Sequence, residues 1–457
     1  MSLWFRPLTM GRMFVSRKLG AVAAASCLLA LGAAGLSPAA AQTPLTADQV
    51  VQMALQKNPN VLSAEQDIKV AGGALTSARS AILPNLSLGQ NYSHTYKPSG
   101  QARVDVNTGA LIVGSYNIEN YSGGLTLSQS FVDFPGWAGI RSAKAGMEAA
   151  SGNTAATRAT VALQAYTQFY VVLKAMKLTT VARQSVQLAQ DQLKRTNALF
   201  ELGSVAKGDV LKQQVLVSQS QLDEINARTA VEVERARLVS FLGLDPGNRL
   251  EIDTTLTEST MQFDSAAVWK DAFASRPELI AARAELASAS ANLGGAQGRR
   301  YPSLSGQASY SYSQNRRFPQ SFDELDFNST RNLGLRLDWS IFDGRFTRGQ
   351  INEAKARELQ AQYAVRTQEL LIAVDVNTSL QSAYQAAERI HVTRDGLASA
   401  EEDLKLSQEK YNVGSATVLD LIDAQVALTR ARSDYISALA DAEVAQMQLR
   451  RARGEKF

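Results

Sequence analysis

The chain has 457 residues, one cysteine, two histidines and a formal charge of +4. So few thiol and imidazole groups argue against a disulfide framework, a cysteine–histidine zinc site and a haem centre. Arg6, Arg12, Arg17 and Lys18 lie in the leader without any acid, and the remaining bases equal the 43 acids, so the rest of the chain is neutral and no nucleic-acid partner is implied.

Residues 1–41 read as a secretory signal. Arg12, Arg17 and Lys18 precede an apolar run over 19–36, and Pro38 and Ala39-Ala40-Ala41 follow, ahead of Gln42. The run falls short of the ~20 residues that a spanning helix needs. Cleavage is expected to leave Gln42 first. Cys27 sits inside the apolar run rather than directly after it, so neither a lipid anchor nor a disulfide is expected in the mature chain. No later stretch is apolar enough to span a bilayer as a helix, which leaves a periplasmic protein, a secreted protein or an outer-membrane β-barrel.

The remainder is built twice. A shift of 218 residues lays Asn58-Pro59-Asn60-Val61 on Arg276-Pro277-Glu278-Leu279, and Leu83-Pro84-Asn85-Leu86 on Tyr301-Pro302-Ser303-Leu304. A shift of 211 lays Phe200-Glu201-Leu202-Gly203-Ser204 on Tyr411-Asn412-Val413-Gly414-Ser415, and Asp209-Val210-Leu211 on Asp420-Leu421-Ile422. The expected divisions are 42–242 for the first repeat, 243–263 for a linking equatorial segment with short strands, and 264–457 for the second repeat.

In the first copy Thr46-Ala47-Asp48 starts a short amphipathic helix, and Pro59 begins another that runs to about Ile82 and stops before Pro84. The second copy repeats this from Asp264 through Pro277 to Pro302. Each Pro84 or Pro302 is followed by alternation. Ser303, Ser305, Gln307, Ser309 and Ser311 face one way, and Leu304, Ala308, Tyr310 and Tyr312 the other. Leu333, Leu335, Leu337, Trp339 and Ile341 alternate with Gly334, Arg336, Asp338 and Ser340, as Leu125, Leu127 and Phe131 do with Thr126, Ser128 and Ser130. A period of two over ~10 residues, one face apolar and aromatic toward the ends, is what a transmembrane barrel strand requires. A half-buried soluble hairpin fits the alternation as well.

Turns at Asp133-Phe134-Pro135-Gly136 and Asp343-Gly344 then lead into helix, and residues 138–200 contain no proline. At ~1.5 Å per residue that helix measures roughly 95 Å. The return helix after the Gly turn and the Pro-started helix, at about 50 and 36 Å, nearly match it when stacked end to end. Val186, Ala189, Leu193, Thr196 and Phe200, and after the turn Leu211, Val215, Ser218, Leu222 and Ile225, form seams of coiled-coil spacing. The fold class expected is mixed α and β, internally duplicated: a long antiparallel coiled-coil α-helical barrel, with four strands per chain contributing to a shared transmembrane β-barrel. Four strands cannot close alone, and open edges are not tolerated in lipid, so chains must share the barrel. Twelve strands from three chains could leave a lumen.

These residues resemble the TolC-like outer-membrane factors over essentially the whole mature chain. Ala54-Leu55 with Asn58-Pro59, Leu83-Pro84, Phe342-Asp343-Gly344, and Tyr411-Asn412-Val413-Gly414 followed by Asp420 carry the likeness. The resemblance implies a homotrimeric outer-membrane channel-tunnel reaching into the periplasm of a Gram-negative cell. It would be the passive exit duct of a tripartite export system, for type I protein secretion or multidrug efflux. Its partners would be a periplasmic adaptor (membrane fusion) protein, an inner-membrane ABC or proton-driven transporter, and outer-membrane lipid. It also implies that the tips Leu202-Gly203-Ser204-Val205 and Val413-Gly414-Ser415-Ala416 meet the adaptor. Asp420 and Asp423 would form stacked acidic rings at a periplasmic gate, with Asp209 and Tyr411 linking the two coiled coils when closed. Ala416 stands where well-known members carry a basic partner for that lock.

The competing expectation is a structural periplasmic coiled-coil protein without channel activity. No nucleophile, base and orienting group come together in the sequence, so no catalysis and no cofactor are assigned.

Overall fold

The computed structural model describes residues 44–98, 103–104, 108–112, 116–245, 247–248, 250–256, 264–318 and 328–455. The signal expected over 1–41, with Cys27, and the C-terminal Phe457 lie outside the described residues.

Thr46 and Gln49 close a capping box that starts α1 (Ala47–Lys57). Asn58 caps α2 (Pro59–Arg79), where Pro59 sits at the helix start and forfeits no helical hydrogen bond. A 3-10 turn, Ser80–Ile82, leads into β1 (Asn85–Lys97). A small ribbon, β2 (Arg103–Val104) with β3 (Leu111–Ile112), lies in the connection before β4 (Tyr116–Val132). Then come α3 (Phe134–Glu201) and α4 (Lys207–Phe241). The order recurs as α5 (Ser265–Ser275), α6 (Pro277–Gly298), β5 (Ser303–Phe318), β6 (Asn328–Asp338), α7 (Phe346–Asn412) and α8 (Val418–Arg453). The chain is therefore mixed α and β and duplicated, as its sequence leads one to expect. Among the described residues, no helix is long and apolar enough to cross a membrane.

Local differences have physical causes. The turn expected at Asp133-Phe134-Pro135-Gly136 is already helix: Asp133 accepts from the Gly136 N–H at 3.0 Å, and Pro135 fits in the first turn. The 68 residues of α3 span about 100 Å. β6 ends at Asp338, so Trp339 and Ile341 leave the strand, and the Trp339 indole donates to the Arg300 carbonyl at 3.1 Å. Among the described residues of the equatorial segment, no strand forms. A single bridge joins Leu45 to Ile252, and Leu250, Ile252 and Leu256 pack on the first-copy core.

β1, β4, β5 and β6 form one antiparallel sheet in that order. Its register pairs Leu86 with Leu127, Leu125 with Tyr310, and Ala308 with Leu333. Opposed residues share a face, so one face is a leucine field, interrupted by Gln90 and bounded toward the loops by His94, Glu119 and Arg331. The other is serine, threonine and amide apart from Arg336 and Asp338. Tyr92, Tyr121, Tyr310 and Tyr312 mark the loop end of the leucine field, and Phe131, Phe134, Trp137 and Trp339 gather toward its helical end. From Phe131 back to Tyr121 is ~34 Å along the strand, or about 25 Å of bilayer normal at a tilt of ~40°. That matches the apolar band of a membrane barrel.

The two short helices of each copy stack by one repeated joint. The Asn58 Nδ2 donates to the last-turn carbonyl of α4, at Phe241, at 2.6 Å. At the matching place, Arg276 Nε donates to the Ala452 carbonyl of α8 at 3.0 Å. Both helices end in left-handed glycines, Gly243 (φ 73°) and Gly454 (φ 83°). Each glycine lies against the backbone just before the cap: a Cβ on Gly243 would be 2.6 Å from the Lys57 carbonyl oxygen, and one on Gly454 3.1 Å from the Ser275 carbonyl carbon. Two apolar cores flank these joints. One is built on Val50, Val61, Phe169, Leu173 and Leu238, the other on Val268, Leu279, Ile372, Val376 and Leu449.

α3 is packed on both sides, between α2 and α6 toward the sheet and between α4 and α8 away from it. α7 packs on α6 and α8 alone of these long partners. The expected seam on α4 is corrected. Leu211, Val215, Leu222 and Ile225 are 51–69% exposed, while Gln213, Val217, Ser220 and Val231 are the buried stripe. Phe200 is exposed too, whereas Thr196 is buried as expected, with Gln192 buried one turn before it and Leu199 half-buried beside Phe200.

Gly243→Ala is expected to lower the melting temperature of the detergent-solubilised protein more than Gly203→Ala. Both force a left-handed alanine, at about 1–2 kcal/mol. Only Gly243 adds a backbone clash, since the space around Gly203 is open. Equal shifts would mean that the joint is not under packing constraint.

Candidate functional site

The end of the molecule farthest from the sheet is made of two helical hairpins. α3 closes on Gly203, whose N–H donates to the Phe200 carbonyl while that of Ser204 donates to Leu199. α7 closes on Gly414 in the same way, to Tyr411 and Lys410. These paired bonds satisfy the orphan carbonyls with a left-handed residue, which is why glycine stands there. The turn leaves Leu202 and Val413 at the apex, 78% and 79% exposed. Ser204, Ser415 and Gly414 are exposed as well, whereas Val205 and Ala416 are half-buried.

Just past each apex a return helix starts with an aspartate in its first turn, and here the copies diverge. Thr417 caps α8 and closes a box with Asp420: the Thr417 N–H and hydroxyl both reach Asp420 Oδ2 at 2.8 Å. Those bonds, with Lys410 nearby, hold the Asp420 carboxyl below the ordinary carboxylate range. In the first copy the cap is Ala206, which has no hydroxyl to offer, so Asp209 is not drawn back onto its own helix start. Its carboxylate acts instead on Tyr411, across the seam between the hairpins. The phenol of Tyr411 is buried and without a hydrogen-bond partner. Burial pushes its pKa up, opposed by the neighbouring Thr196 and reinforced by Asp209. Asp209 thus lies near enough to bear on the Tyr411 phenol, without a hydrogen bond to it. Asp420 and Asp423 are exposed, one turn apart on α8, and share a face by spacing.

The hairpins adhere through Leu404, Val418, Leu421 and Leu428 of the second against Leu188, Leu199 and Val205 of the first. Higher up, Gln408 Nε2 donates to Gln192 Oε1 at 3.3 Å, and Asp441 of α8 binds both Lys174 of α3 at 3.3 Å and Arg389 of α7 at 2.8 Å. Thr417 and Lys410 were missed from the sequence, although the Thr-x-x-Asp spacing of a capping box was there to find. No cluster of metal-ligating side chains exists among the described residues.

Residues 50–244 and 268–455 match the family model described as outer membrane efflux protein. The outer membrane protein TolC of Escherichia coli (strain K12) is 23% identical over 418 residues, covering 89% of this chain and 81% of that protein. Among solved structures, the outer membrane protein VceC of Vibrio cholerae superposes with a TM-score of 0.73 at 18% identity, covering 90% of this chain and 96% of that one. The Campylobacter jejuni CmeC outer membrane channel gives 0.76 at 16% identity, covering 90% and 86%.

Thr417→Ala should release the Asp420 carboxyl and raise its pKa. A carboxyl held low keeps its charge, and any stability that charge lends, above the ordinary value and loses both as the pH falls through the lowered one. If Asp420 lies at the conducting neck, acidification should abolish the cation preference of single channels at a higher pH in Thr417→Ala than in the wild type. Superposed pH profiles would show that the capping bonds do not control the charge at that neck.

Proposed function

Because the chain belongs to the outer membrane efflux protein family, we propose that three copies close into one tunnel whose distal end is gated by Asp420, Asp423, Asp209 and Tyr411. The protein is an outer-membrane exit duct of an export system, and the structural periplasmic alternative falls away with the family assignment. The family and its solved neighbours are channels, not enzymes.

One observation carries the closed assembly. Within the chain, α3 of the first repeat packs on α6 and α8 of the second, but α7 has no such partner beyond it. The sheet likewise ends in two unpaired edges, β1 and β6. In a duplicated chain the internal contact is the template for the external one, so α7 of one copy receives α2 and α4 of the next, and β6 pairs with β1. Such a head-to-tail interface either closes into a ring or runs on as a filament, and lipid demands closure. Three copies give twelve strands, enough to leave a lumen. The exposed stripe Leu211, Val215, Leu222 and Ile225 matches Ile422, Val426, Ser433 and Ile436 of α8, which runs along α3. It is the α4 face that would meet the neighbouring α7.

The hairpin tips are the adaptor-docking points in this proposal. Leu202 and Val413 are large apolar side chains held at the apex in water, flanked by Gly203, Ser204 and Val205 and by Gly414, Ser415 and Ala416. The acidic pair Asp420 and Asp423, brought threefold to one neck, would favour cations by focusing their field between low-dielectric walls. The remaining partners are an inner-membrane ABC or proton-driven transporter and the lipid around the leucine field.

The ring is tested with introduced cysteines. Ser185 and Thr429 hydroxyls lie 3.4 Å apart within the chain. Their repeat equivalents, Gly396 and Ser218, should therefore meet across the neighbouring copy. Ser218→Cys with Gly396→Cys should oxidise to a disulfide-linked trimer on denaturing gels, while Ser185→Cys with Thr429→Cys should stay monomeric. Monomer from both pairs, in protein that still inserts in membranes, would overturn the proposed interface. For the gate, Asp420→Ala with Asp423→Ala should weaken cation preference in planar bilayers and leave assembly intact. Unchanged selectivity would reduce both acids to a solvated helix face.

A further inference from the structure

The polar face of the sheet is uncharged at every described side chain except two, Arg336 and Asp338, both on β6. The register places them opposite Ser305 and Ser303, in line with Asn332 opposite Ser309. Residues two apart on a strand share a face, and these two close on each other: Arg336 Nε meets Asp338 Oδ1 at 3.0 Å and Oδ2 at 2.8 Å. The pair stands at the helical end of the sheet, where Trp339 pins the chain to the Arg300 carbonyl immediately afterwards. Neither side chain is buried, so the pair adds little to stability. Its place on the wall matters more.

We propose that Arg336 and Asp338 form a charge-balanced collar where the strand-walled lumen joins the helical tunnel, and that this balance keeps the mouth indifferent to the sign of a passing ion. This rests on the duct and on its closure by three copies, which would set three such pairs around one ring. Rings of charged side chains set the ionic preference of pores. A ring of paired opposite charges cancels, and the rest of the described wall offers hydroxyls, amides, glycine and, near the loops, Ile118. The collar then passes cargo of either charge, and the acids at the far tips are left to select by sign.

The test is the reversal potential of single channels under a salt gradient at low ionic strength, where wall charges are least screened. Asp338→Asn should expose the arginine ring and shift permeability toward anions. Arg336→Gln should shift it toward cations, and the double variant should return to the wild-type value. Asn332→Asp, which adds an acid to the same face outside the pair, calibrates the shift that one wall charge produces. It also keeps the test decisive if Arg336→Gln fails to insert. A shift in Asn332→Asp but none in Asp338→Asn overturns the collar, and so does a shift of the same sign in both single variants. A wild-type protein that inserts as a trimer and does not conduct overturns the duct itself, and is told apart by that control.

Discussion

The architecture depends on making two short helices behave as one long one. A wall built from α3 beside α2 and α4 has no hole at its waist only if the end of α4 meets the start of α2 without stranded polar groups. The last carbonyls of a helix and the first N–H groups of the next are unsatisfied by construction. The residue before the proline resolves both. Asn58 accepts from the Asn60 N–H at 2.9 Å with one amide atom, and gives the other to the Phe241 carbonyl. The proline behind it has no N–H to strand, and the left-handed glycine lets the ending helix come within contact of the cap.

The second copy reaches the same geometry by other chemistry. Arg276 replaces Asn58 and is buried, so its charge must be matched. Asp375 binds it directly, Glu278 lies at 3.8 Å, and Arg451 in turn sits between Glu278 and Asp375. None of these has a charged counterpart in the first copy, where Asn60, Gln164 and Ser240 hold the corresponding places. One joint is therefore a neutral amide cap and the other a four-residue ionic network, and the two halves of the waist differ in electrostatics while agreeing in shape.

Much of this was legible in the sequence because it is written in residues with narrow backbone roles. Pro59, Pro277, Gly203 and Gly414 mark helix starts and ends with little ambiguity, and the serine–leucine alternation of β5 fixes both faces of the sheet. The phase of α4 was not legible. Its sequence carries two stripes, Gln213, Val217 and Ser220 toward α3, and Leu211, Val215 and Leu222 toward open space. Apolarity favours the second, yet the chain buries the first. Periodicity reports that a helix has a partner but not which partner lies within the same chain. The hairpin tips show the same limit. Asp420 and Asp423 are visible as acids at a helix start, whereas the capping difference between Thr417 and Ala206, which ties Asp420 to its own helix and leaves Asp209 uncapped, shows only in the structure.

Packing quality also varies along the tunnel in a direction that suits a gate. Around the waist the interior is leucine, isoleucine, valine and phenylalanine, interrupted by the Asn58 cap and by the Arg276 network, of whose buried atoms Glu278 Oε2 and Arg451 Nε lack a partner. Toward the tips the buried stripe takes in Gln192, Gln213, Gln425 and Tyr411, and each has a side-chain polar atom without a protein partner. A buried polar group left unpaired costs about 1–3 kcal/mol, and that cost is relieved wherever the helices part enough to admit water. The distal hairpins are thus held together less firmly than the waist that carries them, while the joints at Asn58 and Arg276 give the waist a reason not to follow. A tunnel whose distal end parts while its wall holds at the waist would use that gradient, and the gradient arises from which residues the duplicated helices bury.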